Sequence, residues 1–595
     1  MSFHPNDVAR RARMATFILG GAFAFLASAF FRTQVLENAT YSLQSETNRL
    51  REVPLPAPRG IIYDRNGAII AENLPGYSVS ILAKTSDSLR VALRGLSGVI
   101  SLTPEQIEAA VRRFRQAPNR PTVVVADASF DVVSVLEEHR VDYPGLIIQA
   151  APKRYYPDKE VVATFVGYTG EITESELNQR QYSAYKSGQE IGKAGLERQY
   201  EAQLRGKEGT HFVEVDARGR VVGEAGGRGD VPPESPDPLY TNIDLDLQRF
   251  AAALFGDTLQ GGVMAMDPKT GEVLAIHSAP SFDPNRFIGG VSTQYYSQLR
   301  DDPRRPLYNK VIQGLYPPGS TFKLATAIMG MEAKLVTLDD RMPTPCTGGY
   351  TFGNRYFRCW EKKGHGSVTL RQAIEKSCDV FFYQLGLRLG VSRMLAGGVS
   401  MRMREKTGID IPNEKQPIWP YAEEYFDRRY GPSGWSQGVL LSLAIGQGEN
   451  SQTVANMARF YTALATDGSI VRPEIVRRQT ERTKLFRLTA DEMKGLQDAM
   501  AGVVSARGTA AGAQVQGVVI AGKTGTAQTG VFRNGLELNH AWFTGYAPAD
   551  DPKIVIAVML ELVPLHGSDA ARIASKMIEH YFKRPAIQGA QLEGD

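Results

Sequence analysis

The chain has 595 residues, a formal net charge of +4, 43% hydrophobic residues and 22% charged residues. That length exceeds one ordinary core, so several domains are expected, and the composition is that of a folded protein, not a disordered one. The small charge gives no support for a nucleic-acid partner, and the chain has neither a basic cluster interleaved with aromatics nor a phosphate-loop glycine pattern.

Arg10, Arg11 and Arg13 precede an uncharged run from Met14 to Phe31, closed by Arg32. As a helix this run rises about 27 Å, close to the hydrocarbon thickness of a bilayer. The arginines assign residues 1–13 to a cytoplasmic tail, residues 14–32 to one transmembrane helix, and the bulk of the chain to the periplasmic side of the inner (cytoplasmic) membrane. Ala27-Ser-Ala29 also resembles a signal-peptide cleavage site, but Phe30 and Phe31 prolong the span beyond a short signal core and favour an uncleaved anchor.

Residues 37–52 read as a juxtamembrane helix, stopped by Pro54, Pro56 and Pro58. Arg59 to Ile70 reads as a hairpin around Asn66-Gly67. Thr103-Pro-Glu-Gln106 has the form of a capping box with proline in the first turn, and Ser129 or Asp131 caps the next helix. Residues 33–238 therefore form a mixed α/β domain without a catalytic constellation, ending at 226–238 in a Gly/Pro/Asp-rich linker or exposed boundary loop. Residues 239–585 form a second domain, followed by a tail at 586–595. In it Leu247, Phe250, Ala251 and Leu254 share a helical face. Residues 262–276 read as strand, turn and strand, helices dominate from Ser320 to about Leu464, and 518–520 and 554–562 read as strands. A helix from Asp569 to Phe582 closes the domain. An antiparallel sheet built from both ends, with helices on both faces, makes the fold class α+β.

Three signatures stand in order in this second domain: Ser320-Thr-Phe-Lys323, Ser377-Cys-Asp379 and Lys523-Thr-Gly-Thr526. Pro317-Pro-Gly319 breaks the chain before Ser320, which predicts a helix start with Lys323 one turn later and its amine beside the hydroxyl. The helix N-terminus favours negative charge developing on oxygen, and burial must depress the lysine for it to act as a base. Ser183-Ala-Tyr-Lys186 repeats the first pattern in a polar stretch and reads as surface. Lys269-Thr-Gly271 reads as a hairpin turn and Lys406-Thr-Gly408 as a glycine-capped helix end, whereas Lys523-Thr-Gly525 follows an apolar run and reads as a strand edge. There Gly525 would let a substrate backbone approach and the N–H of Thr526 would serve an oxyanion. Ser-x-Asp alone is worthless, since Ser129-Phe-Asp131 and Ser281-Phe-Asp283 match it too. Its position between the other two gives it meaning.

Cys346, Cys359 and Cys378, the only cysteines, fall within 33 residues together with His365. Three sulfurs and an imidazole match a closed Cys3His zinc site, although the spacings are not those of a zinc finger. A Cys346–Cys359 disulfide with Cys378 as a buried thiol remains the alternative. Because Cys378 is the middle residue of Ser377-Cys-Asp379, a metal there would brace that loop.

With these residues in place, the chain resembles the class B penicillin-binding proteins of the elongation type, the penicillin-binding protein 2 group, over nearly its whole length. The resemblance is carried by Arg59-Gly60, Asp64-Arg-Asn-Gly67, Arg154-Tyr-Tyr-Pro157, Gly192-x-x-Gly-Leu-Glu197, Tyr316-Pro-Pro-Gly-Ser-Thr-Phe-Lys323 and Gly446-Gln-Gly448. Asp379 stands where the generic family pattern has Asn, a departure that elongation-type members share. The resemblance implies a pedestal domain followed by a penicillin-binding/serine β-lactamase-like transpeptidase domain that cross-links peptidoglycan. Ser320 would be the nucleophile and Lys323 its base, while Ser377 and Lys523 would shuttle the proton, with Asp379 in the same loop. Lys523, Thr524 and Thr526 would hold the substrate carboxylate beside Gly525, and β-lactams would acylate Ser320. It also implies one structural zinc on Cys346, Cys359, His365 and Cys378, no cofactor for the chemistry, and a SEDS-family glycosyltransferase and other elongation-complex membrane proteins as partners. A D,D-carboxypeptidase, or a membrane-anchored activator of the polymerase, is the competing reading.

Overall fold

The computed structural model describes residues 5–38, 50–118, 120–143, 145–216, 221–224, 229–478 and 481–583. Helix α1 (Pro5–Phe31) continues as a π-helical turn through Leu36. Val8–Leu36 is long and apolar enough to cross a membrane, and none of it is buried against the rest of the chain.

Most of the expected juxtamembrane helix lies outside the described residues. Its end does not fit that expectation: β1 (Leu50–Leu55) pairs antiparallel with a strand at Gly209–Val215. The Asn-Gly hairpin forms as read, joining β2 (Ile62–Tyr63) to β3 (Ile69–Ile81), with Gly67 at φ +87°. Asp64 stabilises that turn by accepting from the N–H groups of Asn66 and Ala68, both at 2.7 Å. Thr103 makes the capping box with Gln106, and Ser129, not Asp131, caps Phe130–Glu138. Strands β4 (Thr122–Ala128) and β5 (Leu146–Tyr155) flank β3.

Three of the four motifs quoted from this N-terminal region, those of Arg59, Arg154 and Glu197, converge on one carboxylate. Glu197, fully buried, receives Arg59 at 2.8 Å, Arg154 at 2.6 Å and the hydroxyl of Tyr156 at 3.1 Å. Burial alone would push its carboxyl up, but Arg154 and Arg59 outweigh that and hold it below its ordinary value. Residues 229–235 are exposed, as a boundary loop would be. Among the described residues, Val231 and Glu234 bridge back to Thr210 and Lys207, because their backbone groups find partners on a neighbouring strand end. Leu239–Tyr240 then runs parallel to β2. Tyr200 reaches across to Asp410 at 2.8 Å, tying the two parts of the chain together.

Beyond it, α2 (Leu245–Phe255) is capped by Asp244. Strands β6 (Gly261–Met266) and β7 (Val273–Ala279) enclose Lys269-Thr-Gly271 in their turn, as read. They enter a five-stranded antiparallel sheet with β8 (Ala521–Arg533), β9 (Leu536–Ala547) and β10 (Ile554–Val563), in the order β7-β6-β10-β9-β8. Consecutive residues of β6 and of β10 are buried, so both faces are covered. The terminal helix Gly567–Lys583 packs on β9 and β10 and against α2, and Val454–Ala465 packs on the central strands. Both ends of the domain thus build the sheet, as expected. Two local readings shift. The strand begins at Ala521, so residues 518–520 only approach it. Lys406-Thr-Gly408 is no helix end: that helix stops at Ser400, and Glu414 accepts from the N–H groups of Thr407 and Gly408.

His277 on β7 is buried against Phe255, and burial lowers its pKa to about 4. Between pH 4 and 6.5 the unfolded chain therefore binds a proton that the folded chain refuses, so stability rises with pH across that window. Up to roughly 1.4 kcal/mol per unit is at stake. We expect the thermal unfolding midpoint to fall between pH 7 and pH 5, and His277→Leu to reduce that fall. An undiminished fall would remove His277 as its cause.

Candidate active site and cysteine–histidine cluster

Ser320 lies in a single 3-10 turn, Gly319–Phe322, that leads into the α-helix Lys323–Glu332. Three glycines let distant backbone pack around this turn. Gly319 adopts φ +55°, and its N–H donates to the carbonyl of Gly446 at 2.9 Å. A Cβ on Gly446 would sit 2.2 Å from the Gly319 oxygen, and one on Gly525 would sit 2.8 Å from the Pro318 oxygen. Gly525 therefore admits the turn that carries Ser320 to close packing against β8.

Lys323 is fully buried, and its ammonium donates to the Ser377 carbonyl at 2.8 Å, the Ser377 hydroxyl at 3.2 Å and Asp379 Oδ1 at 2.7 Å. Among the described residues no hydrogen bond joins Lys323 to Ser320. Lys323 instead joins the second signature, while Ser320 is half-buried with its hydroxyl uncommitted among the described residues. Ser377 and Asp379 come from the junction between Leu370–Glu375, opened by the capping box of Thr369, and Asp379–Ser400. Ser377 holds φ +53°, a strained conformation for a residue with a side chain, of the kind that concentrates at functional sites. Burial pushes the Asp379 carboxyl up, against the opposing pull of Lys323.

The third signature lies on β8, the edge strand, one of whose sides is unpaired among the described residues. Lys523 is fully buried, and among the described residues its amine donates only to the Thr524 carbonyl, at 3.1 Å. Burial, reinforced by the charge of Lys323, holds its amine well below the ordinary lysine range. Thr524 shares a hydrogen bond with Thr509 at 2.6 Å, and Thr526 Oγ1 accepts from Gly567. All three signatures thus meet at one site. The decoy serine and lysine at 183 and 186 are exposed, as read.

Cys346, Cys359, His365 and Cys378 meet beside this site, with their ligand atoms all within 4.8 Å of one another and the three cysteines free. His365 Nδ1 lies 3.7 Å from Cys346 Sγ and 3.6 Å from Cys359 Sγ. A tetrahedral zinc with bonds of about 2.3 Å to sulfur and about 2.05 Å to nitrogen has sulfur–nitrogen edges of about 3.6 Å. The donor set fits that metal, and the fold forms no disulfide here. The hydrogen bond with Cys378 pulls the Cys359 thiol down, and the same contact pushes Cys378 up. A nearby thiolate is what a cation would take up.

Sequence reasoning missed Trp360 and Thr509. Trp360 donates its backbone N–H to Asp379 Oδ2 at 3.0 Å and its indole N–H to the carbonyls of Lys376 and Ser377, both at 3.1 Å. No spacing marks it; adjacency to Cys359 is the one available signal.

Residues 261–579 match the penicillin-binding protein transpeptidase domain, and residues 54–240 match the penicillin-binding protein dimerisation domain. The chain is 33% identical over 579 residues to the peptidoglycan D,D-transpeptidase MrdA of Acinetobacter baumannii, covering 93% of this chain and 85% of that protein. Its identity to the Escherichia coli K12 protein of the same name is 31% over 567 residues, covering 89% and 87%. Among solved structures, penicillin-binding protein 2 from Helicobacter pylori in complex with MreC superposes with a TM-score of 0.77 at 27% identity, covering 89% of this chain and 98% of that one. A peptidoglycan synthase complex described as coordinating polymerization and crosslinking gives 0.67 at 30% identity, covering 97% and 99%. The chain belongs to the penicillin-binding proteins with a transpeptidase domain, within the penicillin-binding protein 2 group.

Proposed function

We propose that this chain is a peptidoglycan D,D-transpeptidase that cross-links stem peptides during cell elongation through an acyl-enzyme on Ser320. The observation that carries the reading is the convergence of Ser320, the Lys323–Ser377–Asp379 contacts and Lys523 at one site. Ser320 Oγ attacks the carbonyl of the penultimate D-Ala, the terminal D-Ala leaves with a proton, and an amine of a neighbouring stem resolves the ester. Lys323, held by the Ser377 carbonyl, the Ser377 hydroxyl and Asp379, accepts the proton of Ser320 during the attack. The lowered pKa of Lys523 favours relaying a proton with Ser377 over holding a fixed positive charge. Carboxylate binding then falls mainly to Thr524 and Thr526. The backbone N–H groups of Ser320 and Thr526 form the oxyanion hole, and the contact of Gly319 and Gly525 with each other's segments supports that pairing. A β-lactam enters the first half of this sequence and stops at the ester.

Residues 14–32 anchor the chain in the inner membrane, 33–238 form the pedestal and 239–585 the transpeptidase domain. The helix and pedestal engage a SEDS-type polymerase and other elongation-complex proteins. The full-length protein, supplied with such a polymerase and lipid-linked precursor, should give cross-linked products that penicillin abolishes. Free D-Ala without cross-links would favour the carboxypeptidase reading; neither product would sink both.

Cys346, Cys359, His365 and Cys378 would hold one structural zinc, which would brace the loop of Ser377 and Asp379. Metal analysis should find about one zinc per chain. Cys378→Ser should lose it and slow penicillin acylation by 10-fold to 100-fold, the usual range for losing such support. A protein purified without zinc that still acylates at full rate would refute this role.

A further inference from the structure

Trp360 is 56% exposed, yet both of its N–H groups are committed to the loop that carries the second signature. Its backbone N–H holds Asp379 Oδ2, and its indole N–H holds the Ser377 carbonyl. Lys323 uses the other oxygen of the same carboxylate and the same Ser377 carbonyl. On its other side the indole packs edge-on against His365, with ring centroids 5.4 Å apart. Trp360 therefore spans the cysteine–histidine cluster and the acceptors that aim the lysine.

We propose that Trp360 is a positioning residue for acylation. By donating to both acceptor groups it fixes where the Lys323 amine points, and thereby the Ser377 conformation that φ +53° would otherwise let relax. An exposed aromatic ring gains little from burial, so the constraint resides in the two N–H groups and not in apolar packing. The two donors act differently. The backbone N–H survives any side-chain change, whereas the indole N–H disappears in Trp360→Phe, which leaves an unpaired share of the Lys376 and Ser377 carbonyls and a smaller, single aromatic ring. This inference rests on the Ser320 acyl-enzyme reading.

The test uses the full-length detergent-solubilised protein and a chromogenic penicillin, with the acylation rate constant and the penicillin affinity resolved separately. Trp360→Phe should slow the acylation step about tenfold, with affinity within about twofold and both zinc content and unfolding midpoint unchanged. Replacing the indole N–H by sulfur, with 3-benzothienylalanine at position 360, should do the same with the ring shape kept, and covers the case in which Trp360→Phe folds poorly. Full-rate acylation in the sulfur variant would overturn the proposal. So would a loss confined to affinity, since the ring would then serve as a substrate platform. Ser320→Ala, which should not acylate at all, separates failure of this inference from failure of the acyl-enzyme itself.

Discussion

Ser320→Ala is expected to abolish covalent labelling by a fluorescent penicillin and to lower cross-linking by at least three orders of magnitude, while the protein remains folded. Removing a nucleophile typically costs on the order of 10^3-fold to 10^6-fold, because no neighbouring group can form the same ester. Here the half-buried hydroxyl is uncommitted among the described residues, so its loss leaves no orphaned partner and stability should change little. The measurement pairs gel fluorescence with the thermal midpoint. Residual labelling at the wild-type level would place the nucleophile elsewhere. Polymerase stimulation that survives the substitution would show that activation of the partner does not need acylation.

Glu197→Ala should have the largest effect on stability. The carboxylate is fully buried and answers two guanidinium groups, Arg59 at 2.8 Å and Arg154 at 2.6 Å. Truncating one partner of a buried pair typically costs about 3–5 kcal/mol, because the remaining charge stays uncompensated. Arg59 keeps Glu201 at 2.8 Å, whereas Arg154 keeps the Gly60 carbonyl and the face of Tyr156 but no carboxylate among the described residues, and stands to lose more. We expect a lower unfolding midpoint for the N-terminal region and rapid proteolysis there, while penicillin still labels Ser320 in the folded fraction. An unchanged midpoint would mean that the cluster relaxes into water at little cost.

Much of this architecture was legible because its signals are local. Asn66-Gly67 specifies its own turn, Thr103 and Gln106 their own cap, and the apolar run of β10 its own burial on both faces. The three signatures were legible because each carries its local context: a proline-glycine break before Ser320, a capped helix before Ser377, an apolar approach to Lys523. What escaped were choices among distant partners. Lys323 could reach Ser320 or the Ser377 loop, and only the fold reveals that it spends its donors on the latter. Val231 and Glu234 look like linker residues until Thr210 and Lys207 supply partners. Trp360 carries no pattern at all, since a backbone N–H makes one of its contacts. For the cysteines, the sequence left zinc and disulfide open, and the meeting of His365 with all three sulfurs favours the metal.

The glycines at 319, 446 and 525 have a consequence for drug resistance. Any side chain at Gly446 or Gly525 would meet backbone at 2.2 Å or 2.8 Å, and backbone cannot step aside as a flexible side chain can. Substitutions that spare the enzyme from an acylating inhibitor are therefore barred from the floor of the pocket. They must arise away from these glycines, at positions around the site where a side chain is already accommodated.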